Sequence, residues 1–324
     1  MWVEILCGLF VYKVFKRFFY DDDDAAAVPG VDSGGLFLVA NRLEKIYGGK
    51  AYVGLRIPDP DTSTRQNIDI VHVTTREAVV VSVKNFSGFV SITGDDGSWV
   101  CEGGEKRSKE HHPDPLEEAK KQVSVLESYL ERRGVALPDG YLSYKVVLAN
   151  PQFRTLHLSH FPSEVITYDQ WSQLKPEPKK VFVGWLKGAF HGGKKDMQES
   201  MLEKLSSVIR TAPMWDRMEL KNNKYVLGEF IEFRGKQEDV LMLKSIKRSK
   251  VGRMIIQKTS MFGLAHSKLQ VLYSPRDYRT DAASASEWKE VTVRSSTEVL
   301  FQPESSSKVH KFKLSSIISM SLSA

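Results

Sequence analysis

Two runs of β-branched residues, separated by four polar residues, dominate the hydrophobic pattern of the chain. They span residues 67–73 (NIDIVHV) and 78–84 (AVVVSVK), and residues 74–77 (TTRE) lie between them. This is the pattern of a β-hairpin. If the four polar residues form the turn, Val73 pairs with Ala78, and the register of the whole hairpin follows from that pair.

Three polar side chains interrupt the apolar pattern of this hairpin. The predicted register places Asp69 opposite Ser82, and Asn67 opposite Lys84. Because side chains alternate between the two faces of a strand, Asp69, Ser82 and Lys84 share one face. A carboxylate and an ammonium in a Val-rich sheet are costly to bury without partners. They therefore call for a structural or a chemical reason.

The patterns on either side of the hairpin predict an α/β domain over residues 36–175. Apolar residues at helical spacing predict a helix over 36–47, ending at two glycines. A second helix is predicted over 115–133, since Asp114 is a good N-cap and Pro115 suits the first helical position. Apolar runs predict the remaining strands, at residues 51–57, 89–93, 98–102 and 144–148. A further strand and short helix are predicted over 165–174, which gives a mixed sheet.

The order of four sequence blocks resembles the nuclease-related domain (NERD) family over residues 36–150. The blocks are ID-x-V-x-V, V-x-VKNFSG, Trp99 and DPLEEAKKQ. The family is usually placed in the PD-(D/E)xK nuclease superfamily, so the resemblance implies a restriction-endonuclease-like fold and a metal-dependent phosphodiesterase site. It implies catalytic positions at Asp69, Lys84 and Gln122. The position of the second acid holds Ser82, and here the chain departs from the family pattern.

The departure at Ser82 weakens the expected metal site. Mg²⁺ prefers oxygen ligands, and a neutral hydroxyl is a much poorer ligand than a carboxylate. Asp69 alone would therefore hold Mg²⁺ weakly. One rescue is Glu118, which lies four residues before Gln122 on the same helical face and offers a displaced carboxylate as a metal ligand.

Three interpretations of the hairpin residues stay open at this point. Asp69 and Lys84 pair as the remnant of a lost site, or the domain binds nucleic acid or a nucleotide without cleaving it, or Glu118 completes a Mg²⁺-dependent nuclease. Glu44 on the first helix is a further acid that such a site would use, although a single Glu on a helix is usually solvated. His111 and His112 are expected to be loop residues, since no Cys and no further His lies near them.

From residue 214 onward the pattern has period 2, which predicts a smaller all-β domain, a barrel or sandwich, over residues 214–324. Strands are predicted in six segments, at residues 224–233, 238–246, 253–260, 268–274, 287–302 and 311–323. Residues 176–213 are predicted to be a helical connector, with helices over 181–190 and 196–209. We find no catalytic motif in either region.

Positive charge is concentrated in the predicted β-domain. The whole chain carries a net charge of +6, and from Met214 onward 19 Lys and Arg stand against 12 Asp and Glu. The densest basic segment contains Lys244, Lys247, Arg248, Lys250, Arg253 and Lys258. This segment suits the phosphates of nucleic acid or anionic lipid headgroups. The alternative is a solvated strand face and loop.

Residues 1–20 (MWVEILCGLFVYKVFKRFFY) combine apolar and aromatic residues with three late positive charges. The uncharged run over 5–12 is too short for a transmembrane helix, which needs about 20 apolar residues. The order of apolar run and charge is the reverse of a cleaved signal peptide. We expect an interfacial helix or short anchor, with Lys13, Lys16 and Arg17 facing the cytoplasm. A helix packed on the protein's own body is the alternative.

Residues 21–35 are acidic and then rich in Ala, Pro and Gly, which predicts a solvated linker. Cys7 and Cys101 provide no disulfide framework, which suits a reducing compartment, and Cys7 is a candidate palmitoylation site. No Gly-rich phosphate loop, zinc-ligand spacing or Ser-His-Asp pattern is visible.

The sequence therefore favours a membrane-associated protein that faces the cytoplasm and carries a degenerate nuclease site. No certain cofactor follows from the sequence, and the candidate partners are nucleic acid and an anionic membrane surface. The alternative is a Mg²⁺-dependent nuclease that acts on DNA or RNA. A soluble cytoplasmic or nuclear protein is the alternative localisation.

Overall fold

The computed structural model describes residues 33–93, 97–103, 109–156, 161–175, 199–258, 268–276 and 288–323. It divides the chain into two compact units. One unit comprises residues 35–214, and the other comprises residues 1–34 together with 215–324. The predicted anchor of residues 1–20 and the predicted helix over 181–190 lie outside the described residues.

A five-stranded mixed sheet forms the centre of the first unit, as the sequence predicted. Its strands are β1 (Lys50–Pro58), β2 (Arg65–Val73), β3 (Ala78–Lys84), β7 (Leu142–Leu148) and β9 (Val165–Ile166). They lie side by side in that order. The first three strands are antiparallel, whereas β7 is parallel to β3, and β9 is parallel to β7. The α/β fold class is confirmed.

One helix covers each face of this sheet. Helix α1 (Gly34–Tyr47) packs through Leu43 against the face that carries Ile70 and Val81. Helix α2 (Pro115–Arg132) covers the opposite face through Leu126 and Leu130. The polar residues of the hairpin lie on the face beneath α2, because they share the parity of the apolar residues that α2 buries.

The ends of these helices follow from local chemistry. The Asp114 side chain accepts a hydrogen bond from the N–H of Leu116 at 2.9 Å, so Asp114 caps α2 as predicted. Helix α1 is followed by Gly48 and Gly49, both with positive φ. A Cβ atom on Gly49 would lie 2.1 Å from the carbonyl oxygen of Val73, so the sharp return into β1 requires glycine there.

A small four-stranded sheet packs beside the main sheet, around the fully buried Trp99. Its strands are β4 (Gly88–Thr93), β5 (Ser98–Glu102), β6 (Glu110–His112) and β8 (Phe153–Arg154). The interpretation of His111 and His112 as loop residues is wrong, since both belong to β6 and pair with β5. The ring of His112 also packs against Phe86, with centroids 4.5 Å apart.

Two further helices complete the first unit. Helix α3 (Tyr168–Gln173) follows β9, as predicted. Helix α4 (Glu199–Arg210) lies in the predicted connector, and its residues Leu205 and Ile209 are buried in the same apolar cluster as α2. This part of the connector therefore belongs to the first unit.

The second unit is an eight-stranded antiparallel sheet, which confirms the all-β prediction. Its strands are β10 (Asp216–Leu220), β11 (Lys224–Arg234), β12 (Val251–Lys258), β13 (Lys268–Pro275), β14 (Lys289–Arg294), β15 (Glu298–Pro303), β16 (His310–Lys313) and β17 (Ile317–Ser321). They are ordered β14-β13-β12-β17-β10-β11-β15-β16.

The strand predicted over residues 238–246 is wrong, because Gln237–Leu243 forms a short helix, α5. Asp239 and Leu243 are four residues apart and both are buried, which is the spacing of one helical face. Glu238 and Asp239 also occupy the first turn, where negative charge is favourable. Within the described ranges, no helix is long and apolar enough to cross a membrane.

Candidate functional site

The hairpin of β2 and β3 places Asp69 at the point where the pairing of the two strands ends. The observed register pairs Val73 with Ala78 and continues to Ile70 and Val81, as predicted. Beyond that pair, the N–H of Val83 donates a hydrogen bond to Asp69 Oδ2 at 2.7 Å. The carboxylate therefore takes the place of a strand carbonyl, and its position is fixed by the β3 backbone.

Helix α2 brings Gln122 to the same place. Gln122 is 1 % exposed, and its Nε2 donates to the carbonyl oxygen of Asn67 at 3.0 Å and to Glu118 Oε1 at 3.4 Å. Gln122 therefore faces the interior of the unit. Its Oε1 atom is buried and accepts no hydrogen bond among the described residues.

The ammonium of Lys84 lies 2.7 Å from Glu118 Oε2, so the two side chains form an ion pair. The Lys84 side chain is 20 % exposed and that of Glu118 is 39 % exposed. Lys84 therefore makes its close contact with the helical carboxylate and acts on Asp69 only at longer range. Glu118, the acid that could replace the missing metal ligand, does lie in the cluster, but its carboxylate is paired with Lys84.

Burial raises the pKa of the Asp69 carboxyl above its ordinary value. The hydrogen bond from the Val83 N–H and the positive charge of Lys84 oppose this effect, while the nearby charge of Glu118 adds to it. Asp69 is therefore a carboxylate whose charged form is held by one backbone donor and one distant cation.

Ser82 is fully buried on the same face, and its Oγ forms no hydrogen bond with a described residue. It lies close enough to Asp69 to lower the pKa of that carboxyl slightly. Gln122 Oε1 is thus a buried oxygen without a donor beside two carboxylates, whereas the Ser82 hydroxyl is itself a donor that acts on Asp69. A buried polar atom without a partner costs stability, so it calls for an explanation.

The donor set at this place does not fit a divalent cation as it is arranged. Mg²⁺ needs oxygen ligands that are free to face it. Here one oxygen of Asp69 accepts from the Val83 N–H, and the ammonium of Lys84 occupies Glu118. In the described part of the chain, no three acidic, His or Cys side chains gather into a possible metal site.

The other acid that the sequence singled out lies elsewhere. Glu44 Oε1 accepts a hydrogen bond from the N–H of Ala51 at 2.8 Å and lies 3.6 Å from Lys50 Nζ. Glu44 therefore fixes the start of β1. No residue type marks the two backbone groups that hold the cluster, the Val83 N–H and the Asn67 carbonyl, so sequence reasoning missed them.

The basic segment of the β-domain is not uniform. Arg248 forms ion pairs inside the unit, 3.0 Å from Asp216 Oδ2 and 2.6 Å from Glu229 Oε1. The other described cationic side chains of this segment are exposed, and they belong to Lys244, Lys247, Lys250 and Arg253. The side chain of Lys258 lies outside the described residues.

A cavity of about 320 Å³ at the opposite end of the β2–β3 hairpin was not predicted. It lies between the hairpin turn and helix α4. Its lining is Tyr47, Gly49, Lys50, Val73, Thr74, Thr75, Arg76, Leu202 and Ser206. No pattern in the sequence marks it, because α4 reaches the turn from more than a hundred residues further along the chain.

The comparisons with known proteins agree with the resemblance seen in the sequence. The family model described as nuclease-related domain matches residues 32–149. No curated protein and no solved structure matches the chain. The matched range contains all five residues of the cluster, which are Asp69, Ser82, Lys84, Glu118 and Gln122.

Proposed function

We propose that the domain matched by the nuclease-related domain model, residues 32–149, binds its partner without hydrolysing phosphodiester bonds. The observation that carries the proposal is the ion pair of Lys84 and Glu118, next to a buried serine at the position of the second acid. The cluster contains acidic and basic side chains of the kind a nuclease site uses, but Lys84 and Glu118 pair with each other.

Few carboxylate oxygens of the cluster are free to bind a cation. A metal-dependent nuclease uses its cation to activate water and to neutralise charge on the phosphate. With Ser82 in place of an acid, Asp69 is the one carboxylate of the β2–β3 hairpin in this cluster, and the N–H of Val83 takes one of its oxygens. The cluster therefore binds Mg²⁺ too weakly to support hydrolysis of a phosphodiester bond.

What remains favours binding of an anionic partner, with nucleic acid as the candidate. Lys84 is partly exposed, and its ammonium would exchange Glu118 for a phosphate oxygen at small cost, because the Glu118 side chain is itself exposed to solvent. Residues 1–20 support attachment of the domain to the cytoplasmic face of a membrane, since their apolar run is followed by Lys13, Lys16 and Arg17. We therefore propose a membrane-associated binding or scaffold protein.

A cleavage assay on DNA and RNA with Mg²⁺ or Mn²⁺ tests this proposal. We expect no metal-dependent cleavage by the wild type and measurable cleavage by Ser82→Glu, because the substitution restores the second acid. Ser82→Gln is the matched control, since it has the size of Glu without the charge. Cleavage gained by Ser82→Glu should be lost again when Asp69→Ala is added. Cleavage by the wild type that Asp69→Ala abolishes would contradict the proposal.

The second candidate is a Mg²⁺-dependent nuclease in which Glu118 supplies the missing acid. It is favoured by the hydrogen bond from Gln122 Nε2 to Glu118 Oε1, which orients that carboxylate within the cluster of Asp69. The variant Glu118→Gln separates the two candidates. It abolishes metal-dependent cleavage in the second, whereas in the first the wild type and the variant are equally inactive.

A further inference from the structure

Residues 241–250 comprise the last residues of helix α5 and the connection to strand β12, and they are fixed to the core of the β-domain. Leu243 is 1 % exposed and Ile246 is 3 % exposed, and both belong to the apolar core of this unit. Ser245 Oγ lies 3.1 Å from the hydroxyl of Tyr273. Backbone bonds from Lys244 to Leu241 and from Lys250 to Lys247 close two turns. The exposed side chains of the segment therefore stand on a rigid backbone.

Between these buried anchors, two large apolar side chains and three ammonium groups point into solvent. Leu241 is 58 % exposed and Met242 is 51 % exposed. Lys244, Lys247 and Lys250 are exposed as well. The segment therefore exposes two adjacent apolar side chains and positive charge together.

The acids near this surface are already neutralised. Glu238 on α5 lies 2.7 Å from Arg294 Nη2, and Asp239 is 3.4 Å from the other terminal nitrogen of the same guanidinium. Glu229 pairs with Arg248. The surface of residues 241–250 thus presents positive charge that these neighbouring carboxylates do not cancel.

We propose that Leu241, Met242, Lys244, Lys247 and Lys250 form a docking surface for an anionic phospholipid membrane. Exposed apolar side chains gain free energy by entering the boundary between headgroups and acyl chains, and lysines around them contact the anionic headgroups. The three lysines follow the apolar pair within eight residues and all five side chains are exposed, so one short segment offers both kinds of contact.

The apolar pair decides between a membrane and a nucleic acid. A phosphate backbone would attract the lysines equally well but offers no apolar layer to Leu241 and Met242. The surface belongs to the β-domain and is independent of both the nuclease-related site and residues 1–20. It therefore adds a second membrane contact to the proposed function.

A local fluorescent probe tests the surface in the full-length chain. Met242→Cys is labelled with an environment-sensitive dye in a chain that also carries Cys7→Ser. Burial raises the pKa of the Cys101 thiol to about 11, so Cys101 stays unreactive at neutral pH. Val309→Cys is the matched control, because Val309 is 49 % exposed in the turn before the edge strand β16.

We expect vesicles of phosphatidylcholine with phosphatidylserine to shift the emission of the label at position 242 to the blue, and to leave the label at 309 unchanged. Neither phosphatidylcholine vesicles alone nor a DNA duplex or single-stranded RNA should shift it. An unchanged emission at 242 while the chain is bound to the anionic vesicles would overturn the proposal, and so would a shift caused by nucleic acid instead. Neither outcome depends on the nuclease-related site.

Neutralisation of the lysines gives a second readout, vesicle co-sedimentation. Each basic side chain contributes a factor of about five to binding at an anionic surface, so the triple change Lys244→Gln, Lys247→Gln and Lys250→Gln should weaken binding about 100-fold. Leu241→Ser with Met242→Ser should weaken it about tenfold. The control is Lys289→Gln with Lys308→Gln and Lys311→Gln, three exposed lysines of the same unit. Equal loss in both lysine sets would overturn the proposal.

Discussion

Each unit places an aspartate near a cation, but Asp216 is fully buried whereas Asp69 is half-buried, and the groups around the two differ. Asp216 in β10 is fully buried, and its two oxygens accept from the N–H groups of Phe230 at 2.7 Å and Ser323 at 2.6 Å. Arg248 adds an ion pair at 3.0 Å. Asp69 in β2 accepts from one backbone N–H, and Lys84, the cation that acts on it, forms its ion pair with Glu118.

This difference distinguishes a structural network from a site. Burial raises the pKa of both carboxyls, so the pKa alone does not separate them. Each oxygen of Asp216 accepts from a backbone N–H, so the carboxylate holds β10, β11 and the chain after β17 together, although the buried Arg248 Nε makes no aligned hydrogen bond. Beside Asp69, the buried Gln122 Oε1 has no donor among the described residues. A partly satisfied polar cluster costs stability, which suggests that it is retained for binding.

The largest effect is expected at Asp216. Asp216→Ala should lower the free energy of unfolding by about 3–5 kcal/mol, because it leaves two backbone N–H groups and Arg248 without their buried acceptor. Urea unfolding followed by circular dichroism measures the change. The control Asp216→Asn keeps one acceptor and should cost less. A loss below about 1 kcal/mol for Asp216→Ala would show that the network is not structural.

At Asp69 the opposite sign is expected, because only one backbone donor and no close cation of its own stabilise the charged form, whereas two backbone donors and Arg248 stabilise that of Asp216. Because its folded pKa is raised, the stability that Asp69 contributes is fully present below its ordinary value of 3.8 and is lost as pH rises through the folded value. Asp69→Asn stays neutral, so it should stabilise the domain at neutral pH, and the gain should vanish as pH falls toward 3.8. Urea unfolding at several pH values tests this. If Asp69→Asn destabilises the domain at neutral pH, Asp69 has a structural role like that of Asp216.

A smaller effect concerns the coupling within the cluster. Glu118→Gln removes a negative charge that raises the pKa of Asp69, so that pKa should fall. Lys84→Met removes a positive charge that lowers it, so the pKa should rise further. NMR titration of the Asp69 carboxyl carbon reports both. Equal shifts of the same sign would mean that the two side chains act through packing and not through charge.

The smallest effect is expected on the exposed face of α2. Lys120 lies 2.5 Å from Glu117 on the same helix, and both side chains are more than half exposed. Exposed pairs of this kind contribute little, so Lys120→Ala should leave the free energy of unfolding unchanged within the error of the measurement. It serves as a reference for Lys84→Met. Similar values for the two variants would remove the distinction between a surface pair and the pair in the cluster.

Local patterns were enough to predict much of the fold. The register of the hairpin was correct because the four-residue turn fixes it. Helix α2 was predicted from its first residue, since Asp114 and Pro115 carry the chemistry of a helix start. Residues 238–246 were misread as a strand, because a short apolar run does not separate the two periods and the buried face of α5 depends on its neighbours.

The site was less accessible to sequence reasoning. The residue types at 69, 82, 84 and 122 could be named, but the partner of Lys84 depends on where α2 crosses the sheet. The pairing of Arg248 with Asp216 joins residues that are distant in the chain, so Arg248 was counted with the exposed lysines. Contacts between distant segments leave no local pattern.

The affinity for a divalent cation decides whether this domain has lost the metal site of a nuclease. Isothermal titration with Mn²⁺ should show weak binding by the wild type, unchanged by Glu118→Gln, and at least tenfold tighter binding by Ser82→Glu that Asp69→Ala removes. Ser82→Gln should behave like the wild type. Tight binding by the wild type that either Asp69→Ala or Glu118→Gln abolishes would contradict the account.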